Sequence, residues 1–173
     1  MNQRGPSPSR IVRITPALAA TVVGARRLFD EPLSTQPVRR YVADPRNVLW
    51  VARVGPRTVG FARGTSMRQL HSHRLQFFLY EIAVHPSFRR MGIARALIDR
   101  MRQYCRSRGF AEAFVFTSPY NRPAVRLYRS TGGRTETVAD RMFVYRFDRR
   151  PPRRSSPRGT SRRRAGTRSR PSR

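Results

Sequence analysis

The sequence predicts a mixed α/β domain, a mostly antiparallel central sheet flanked by helices, over residues 10–148, followed by a disordered Arg-rich tail. Two observations carry the fold class. Three runs rich in β-branched and aromatic residues, 48–54, 58–65 and 75–84, follow one another with only short breaks between them. The long segment Gly92 to Arg108 places Ile93, Leu97, Met101 and Tyr104 to Cys105 on one stripe, a helix that buries a single face. At 173 residues and 38% apolar content, the chain has enough material for one core.

Taken in order, residues 1–9 are polar and Pro-containing and read as a flexible N-terminus. Arg10 to Thr15 alternates apolar and polar residues, a first strand. Pro16 is suited to the first turn of a helix that carries Leu18, Val22, Ala25 and Leu28 to Phe29 at three- and four-residue spacing. A second helical piece spans Val38 to Ala43 and stops near Asp44-Pro45. Val48 to Val54 and Thr58 to Thr65 form a hairpin about Gly55-Pro56-Arg57. Met67 to Arg74 is a polar loop, and Leu75 to Val84 a long strand ending at His85-Pro86. After the Gly92 helix, terminated by Gly109, come a short strand Ala113 to Thr117, a short helix Pro123 to Ser130 and a last strand Met142 to Phe147. The order is β-α-α-β-β-β-α-β-α-β, without repeats. Residues 149–173 contain almost nothing apolar and form no core.

Charge narrows the chemistry. The net charge is +28, and all 37 basic residues are Arg. Without lysine there is no Schiff-base catalysis and no lysine-dependent phosphate loop. The tail carries 11 Arg and no acid, which leaves +17 on residues 1–148. A single Cys excludes an internal disulfide framework and a cysteine-based metal site within one chain, and fits a reducing, cytoplasmic setting. The apolar stretch Ala17 to Ala25 is too short to span a bilayer, so no membrane partner is expected. Arg4 and Arg10, with the apolar residues that follow, also faintly match a secretory signal, but the same residues read as a strand and a helix.

The segment that carries chemistry runs from Phe78 to Ile98: a strand enters a short loop, Arg89-Arg90-Met91-Gly92-Ile93-Ala94, that opens the amphipathic helix. Small residues there let backbone N–H groups approach an anion, and the helix start adds partial positive charge. Arg89, Arg90 and Arg95 add charge-assisted contacts for phosphate oxygens. The plainer alternative is a strand-to-helix turn in which Gly92 relieves a tight backbone. A dinucleotide fingerprint needs three spaced glycines, and only Gly92 is present.

This segment resembles the acyl-CoA-binding motif of the GNAT superfamily of N-acetyltransferases, whose loop pattern is Gln/Arg-x-x-Gly-x-Gly/Ala. A second motif of that superfamily has a counterpart in Asn121-Arg122-Pro123-Ala124-Val125-Arg126-Leu127-Tyr128, followed by Gly132-Gly133. Shorter stretches, Leu28-Phe29-Asp30-Glu31-Pro32, Leu79-Tyr80-Glu81-Ile82-Ala83-Val84 and Pro123 to Tyr128, are similar to aminoglycoside 3-N-acetyltransferase-like proteins. Members of that group often carry acids just before the second motif, where this chain has Ser118-Pro119-Tyr120.

The resemblance implies direct transfer of acetyl from acetyl-CoA, as cosubstrate, to a primary amine of a small-molecule acceptor. An aminoglycoside is one such acceptor, and a peptide or protein amine is the alternative. It implies that backbone N–H groups of Ile82, Ala83 and Val84 hold the thioester arm, that residues 89–95, Ile93 among them, hold the diphosphate, and that Asn121 contacts the cofactor or caps its helix. Glu81, the only carboxylate between Asp44 and Asp99, is the candidate base, and burial in its apolar strand would raise its pKa. The bland reading is a partly exposed Glu paired with one of many Arg residues. Tyr128 is the candidate acid for the departing thiolate, or else an aromatic packing on the sheet. No metal is implied: His71 and His73 lack a third ligand. Cys105 is expected as a packed thiol, His85 as a turn residue, and Trp50 and Phe61 as core aromatics. The tail is either an electrostatic arm for weak, nonspecific nucleic-acid binding or an unselected extension. Dimers are frequent in the superfamily, so a homodimer is admitted by analogy.

Overall fold

The computed structural model describes residues 10–23, 25, 28–29, 33–72 and 74–135. The expected strand Met142 to Phe147, residues 1–9, the tail 149–173, Asp30-Glu31-Pro32 and His73 lie outside the described residues.

Among the described residues five strands, β1 (Arg10–Arg13), β2 (Asn47–Val54), β3 (Arg57–Arg68), β4 (Leu75–Val84) and β5 (Glu112–Phe114), form one sheet in the order β1-β2-β3-β4-β5. The first three pairings are antiparallel, and β4 pairs with β5 in parallel. The helices are α1 (Ala20–Val23), α2 (Thr35–Ala43), α3 (Ile93–Ser107) and α4 (Arg122–Ser130). Among the described residues of the single long helix expected from Pro16, only Ala20–Val23 are α-helical, preceded by a 3-10 turn at Pro16–Leu18. β3 runs on into the expected polar loop, because Met67 and Arg68 pair with Gln76 and Leu75.

Both faces of the sheet are covered, which is why the middle of β2 is apolar without alternation. Val48, Trp50 and Ala52 point toward α3 and pack with Phe77, Leu79, Leu97 and Met101. Leu49 and Val51 point the other way, into a cluster with Val22, Leu28, Val38 and Phe61. Trp50 and Phe61 are fully enclosed, and Cys105 is buried on the stripe of α3, where burial pushes its thiol up to about 11. A thiol held in that state is a packing group, not a nucleophile.

The β3–β4 pairing carries a register irregularity. Arg63 pairs with Glu81 but Gly64 pairs with Leu79, so Tyr80 is an extra residue that bulges β4. A β-carbon on Gly64 would collide with the Phe78 carbonyl oxygen and come within 2.6 Å of the buried Phe77 ring. Gly64→Ala is therefore expected to destabilise the fold by about 3 kcal/mol, since neither obstacle can swing away. An unchanged denaturation midpoint would show that the bulge does not depend on this glycine.

Candidate active site

β4 is ten residues long, yet only Gln76, Phe77 and Phe78 pair with β5. Beyond Phe78, among the described residues, β4 is bonded on its β3 side alone. The His85 N–H donates to the Val59 carbonyl at 2.9 Å, which fixes the alternation along the strand end. Residues 83 and 81 share that direction, so the N–H groups of Ile82 and Val84 face the open side. A carbonyl placed in this gap would meet oriented donors.

At the end of β4 a 3-10 turn, Pro86–Phe88, leads into the loop before α3. His85 is indeed a turn residue here: its ring nitrogen accepts from the Ser87 N–H at 3.3 Å. The backbone then turns through two left-handed residues, Arg90 at φ 64° and Gly92 at φ 76°. An arginine in that region is held at a cost of about 1 kcal/mol or more. The turn from Gly92 starts α3, whose first intrahelical bond runs from the Ala96 N–H to the Gly92 carbonyl. The N–H groups of Ile93, Ala94 and Arg95 are thus left without intrahelical partners. No carboxylate occupies the first turn, and among the described residues a β-carbon on Gly92 would meet nothing within 4 Å. The cradle is open, cationic and lined by amides.

The arginines of this loop divide. Arg90 and Met91 are exposed. Arg89 turns back so that its Nε donates to the Val84 carbonyl at 3.3 Å, closing the end of the gap. Arg95 reaches across to α4, bonding the Ser130 carbonyl at 3.1 Å and the Ser130 hydroxyl at 3.0 Å. Arg95 therefore ties two helices together, a role the sequence reading did not give it, and each guanidinium retains further N–H donors. Asn121 caps α4, its side-chain oxygen accepting from the Ala124 N–H at 3.3 Å.

Glu81 is not the buried carboxylate expected from its apolar strand. Its side chain is 35% exposed and accepts from Arg63 Nε at 2.7 Å. The Arg63 guanidinium lies 4.3 Å from the centroid of Tyr80 and 5.9 Å from that of Tyr41. Tyr41, on α2, donates its hydroxyl to the Gly64 carbonyl at 3.2 Å; burial pushes its pKa up, with Arg63 opposing. This group of four was not foreseen. The only sequence signal was Gly64, a glycine inside a strand, which marks a bulge or close approach.

Tyr128 is on the other side of the sheet. It packs against the α3 cluster and lines a cleft of about 290 Å³ with Leu79, Met101, Val115 and Thr131. Burial pushes its phenol up, so it remains a proton donor across the neutral range. Glu81 lies instead on the face carrying Phe61, Arg63 and α2. The two candidate catalytic groups thus belong to opposite faces of the sheet, with the edge of β4 that is unpaired among the described residues between those faces. Among the described residues no group of three or more His, Cys, Asp or Glu converges on one point, and no helix is long and apolar enough to cross a membrane.

The profile of the Acetyltransferase (GNAT) family matches residues 20–132. N-acetyltransferase 8B of Rattus norvegicus is 32% identical over 94 residues, covering 54% of this chain and 42% of that protein. N-acetyltransferase 8 of Homo sapiens is 30% identical over 96 residues, covering 54% and 41%. The chain thus spans well under half the length of these curated relatives. Among solved structures, an aminoglycoside acetyltransferase from an uncultured soil metagenomic sample, in complex with sisomicin, superposes with a TM-score of 0.71 at 21% identity, over 80% of this chain and 97% of that one. A ribosomal-protein-alanine N-acetyltransferase from Brucella melitensis biovar Abortus 2308 superposes with a TM-score of 0.66 at 18% identity, over 81% and 100%. At these identities the structural likeness establishes the fold.

Proposed function

The chain belongs to the GNAT acetyltransferase family, and from that premise we propose that it is an N-acetyltransferase that moves the acetyl group of acetyl-CoA onto a primary amine of a small-molecule acceptor. The observation that carries this reading is the continuity of two features: a strand edge at Ile82 and Val84 that pairs with no strand among the described residues, leading directly into an amide-lined, acid-free turn at Gly92.

The residues present suit the carrier. A diphosphate fits the amides of Ile93, Ala94 and Arg95, with Arg90 adding charge at the rim. The N–H groups of Ile82 and Val84 suit an extended amide arm and the thioester carbonyl, with Ala83 between them holding the strand to β3. When bound, acetyl-CoA supplies a carbonyl carbon activated by its thioester. Glu81 receives the proton that an ammonium must lose before its nitrogen has a lone pair. Tyr128 holds a proton on its phenol oxygen for the thiol that leaves. The ion pair with Arg63 fixes the Glu81 carboxylate against the bulge.

Tyr128→Phe removes only the hydroxyl. Because a thiolate is already a fair leaving group, kcat is expected to fall by about tenfold, below the usual range for a general acid. Affinity for acetyl-CoA should be almost unchanged. Steady-state kinetics beside a calorimetric titration checks both, and full activity would make Tyr128 a packing residue.

A 3-N-aminoglycoside acceptor, suggested by the similar short stretches, enters as one arm of the acceptor assay. The absence of acids at Ser118-Pro119-Tyr120 and the +17 on residues 1–148 weigh against a polycation. Thiol release from acetyl-CoA across aminoglycosides, polyamines, amino acids and peptides distinguishes the acceptors.

A further inference from the structure

The bulge in β4 does more than disturb the register. Phe77 and Leu79 point toward α3, so Tyr80 belongs to the opposite face; after the bulge Ala83, and with it Glu81, belongs to that face as well. Two consecutive residues are thereby delivered to one side of the sheet, where Arg63 meets both. Arg63 bonds Glu81 through Nε alone. Among the described residues no hydrogen bond of 3.5 Å or less engages its two terminal nitrogens; the guanidinium is positioned by Tyr80 and by Tyr41, whose hydroxyl lies close enough to feel its charge. A guanidinium held in this way presents a flat pair of donors, the shape that matches a carboxylate. The second oxygen of Glu81 is likewise without a partner among the described residues. A cationic fork and an anionic oxygen therefore lie side by side, next to the strand edge proposed for the thioester.

We propose that this pair is a receptor for a zwitterion: the acceptor is an α-amino acid, its carboxylate on Arg63 and its amine on Glu81. The inference rests on the acetyl-transfer reading given above. Neighbouring rings suggest the side chain. Phe78 is stacked on Phe114 at 5.1 Å, and Phe116 and Tyr80 each lie 5.7 Å from Phe78, so an aromatic row continues from the receptor. Tyr80 and Phe116 are 60% and 64% exposed. An apolar or aromatic amino acid satisfies all three elements. In the transfer the N–C bond forms as the C–S bond breaks; the ammonium gives up two protons, one through Glu81 to solvent and one to the departing sulfur, giving the N-acetyl amino acid, free CoA and one released proton.

The test uses the whole chain and three acceptors that differ only at the carboxyl position: L-phenylalanine, L-phenylalaninamide and phenethylamine. Wild type is expected to favour phenylalanine in kcat/KM by on the order of tenfold or more, the worth of a charge-assisted bidentate contact. Arg63→Gln should abolish that preference, chiefly through a raised KM for phenylalanine, and Arg63→Lys should restore part of it. The wild-type comparison needs no variant, so it stands even where Arg63→Gln fails to fold. Equal use of the three acceptors, a preference for an aminoglycoside, or an unchanged preference in folded Arg63→Gln overturns the inference. Thiol release from none of them, with acetyl-CoA bound, also overturns it and leaves the carrier site standing. Absence of acetyl-CoA binding overturns the reading beneath it.

Discussion

Glu81→Gln is expected to lower kcat/KM for the amine by about 100-fold or more, the range a positioned base contributes. The substitution keeps the size of the side chain and one oxygen that can accept from Arg63 Nε, so the bulge and the neighbouring rings should stay in place. What disappears is the negative charge that receives a proton. The loss should be greatest below the pKa of the amine, where the acceptor arrives as an ammonium, and should shrink as pH rises and the free amine becomes abundant. Acetyl-CoA affinity should change little, because Glu81 faces α2 while the diphosphate cradle is at the start of α3. A parallel drop at every pH would make Glu81 a structural partner of Arg63. Full activity would remove it from the site.

Gly92→Asp is expected to weaken acetyl-CoA binding by on the order of 100-fold, and Gly92→Asn by far less. Both side chains tolerate the left-handed backbone better than other residues, and any remaining strain acts on the free and bound protein alike, so it cancels in the binding constant. Charge does not cancel. A carboxylate about 5 Å from a phosphate, at an effective dielectric of about 20, is opposed by about 3 kcal/mol before salt screening. That corresponds to roughly two orders of magnitude in Kd. Space is not the obstacle, since a β-carbon at Gly92 meets no atom of the described residues within 4 Å. The Asp and Asn variants differ in charge at equal size, and their ratio isolates the electrostatic term. Equal binding by the two would mean that no phosphate approaches this turn.

Much of the fold was legible because its signals are local. The stripe Ile93, Leu97, Met101 and Cys105 is written at helical spacing, and all four are buried on α3. The Arg89 to Ala94 loop announced itself through small residues among cations, and its left-handed turn at Gly92 is what such a glycine is for. The bulge was not legible. Phe77, Phe78, Leu79 and Tyr80 are apolar or aromatic at both parities, so inserting one residue breaks no visible alternation. The group of Tyr41, Arg63, Tyr80 and Glu81 joins α2, β3 and β4 through that same register shift, and no spacing along the chain encodes it. With 37 arginines to choose from, nothing singled out Arg63 as the partner of Glu81. Arg95 shows the same limit: its position in the motif pointed to phosphate, and no spacing announced its additional bonds to Ser130 on α4.

Titrating the purified chain with acetyl-CoA in a calorimeter tests the central claim most directly. Saturable one-to-one binding in the range from about 1 μM to 1 mM, weakened by added salt and by Gly92→Asp, is the predicted result. No detectable heat, or binding that ignores Gly92→Asp, would contradict it.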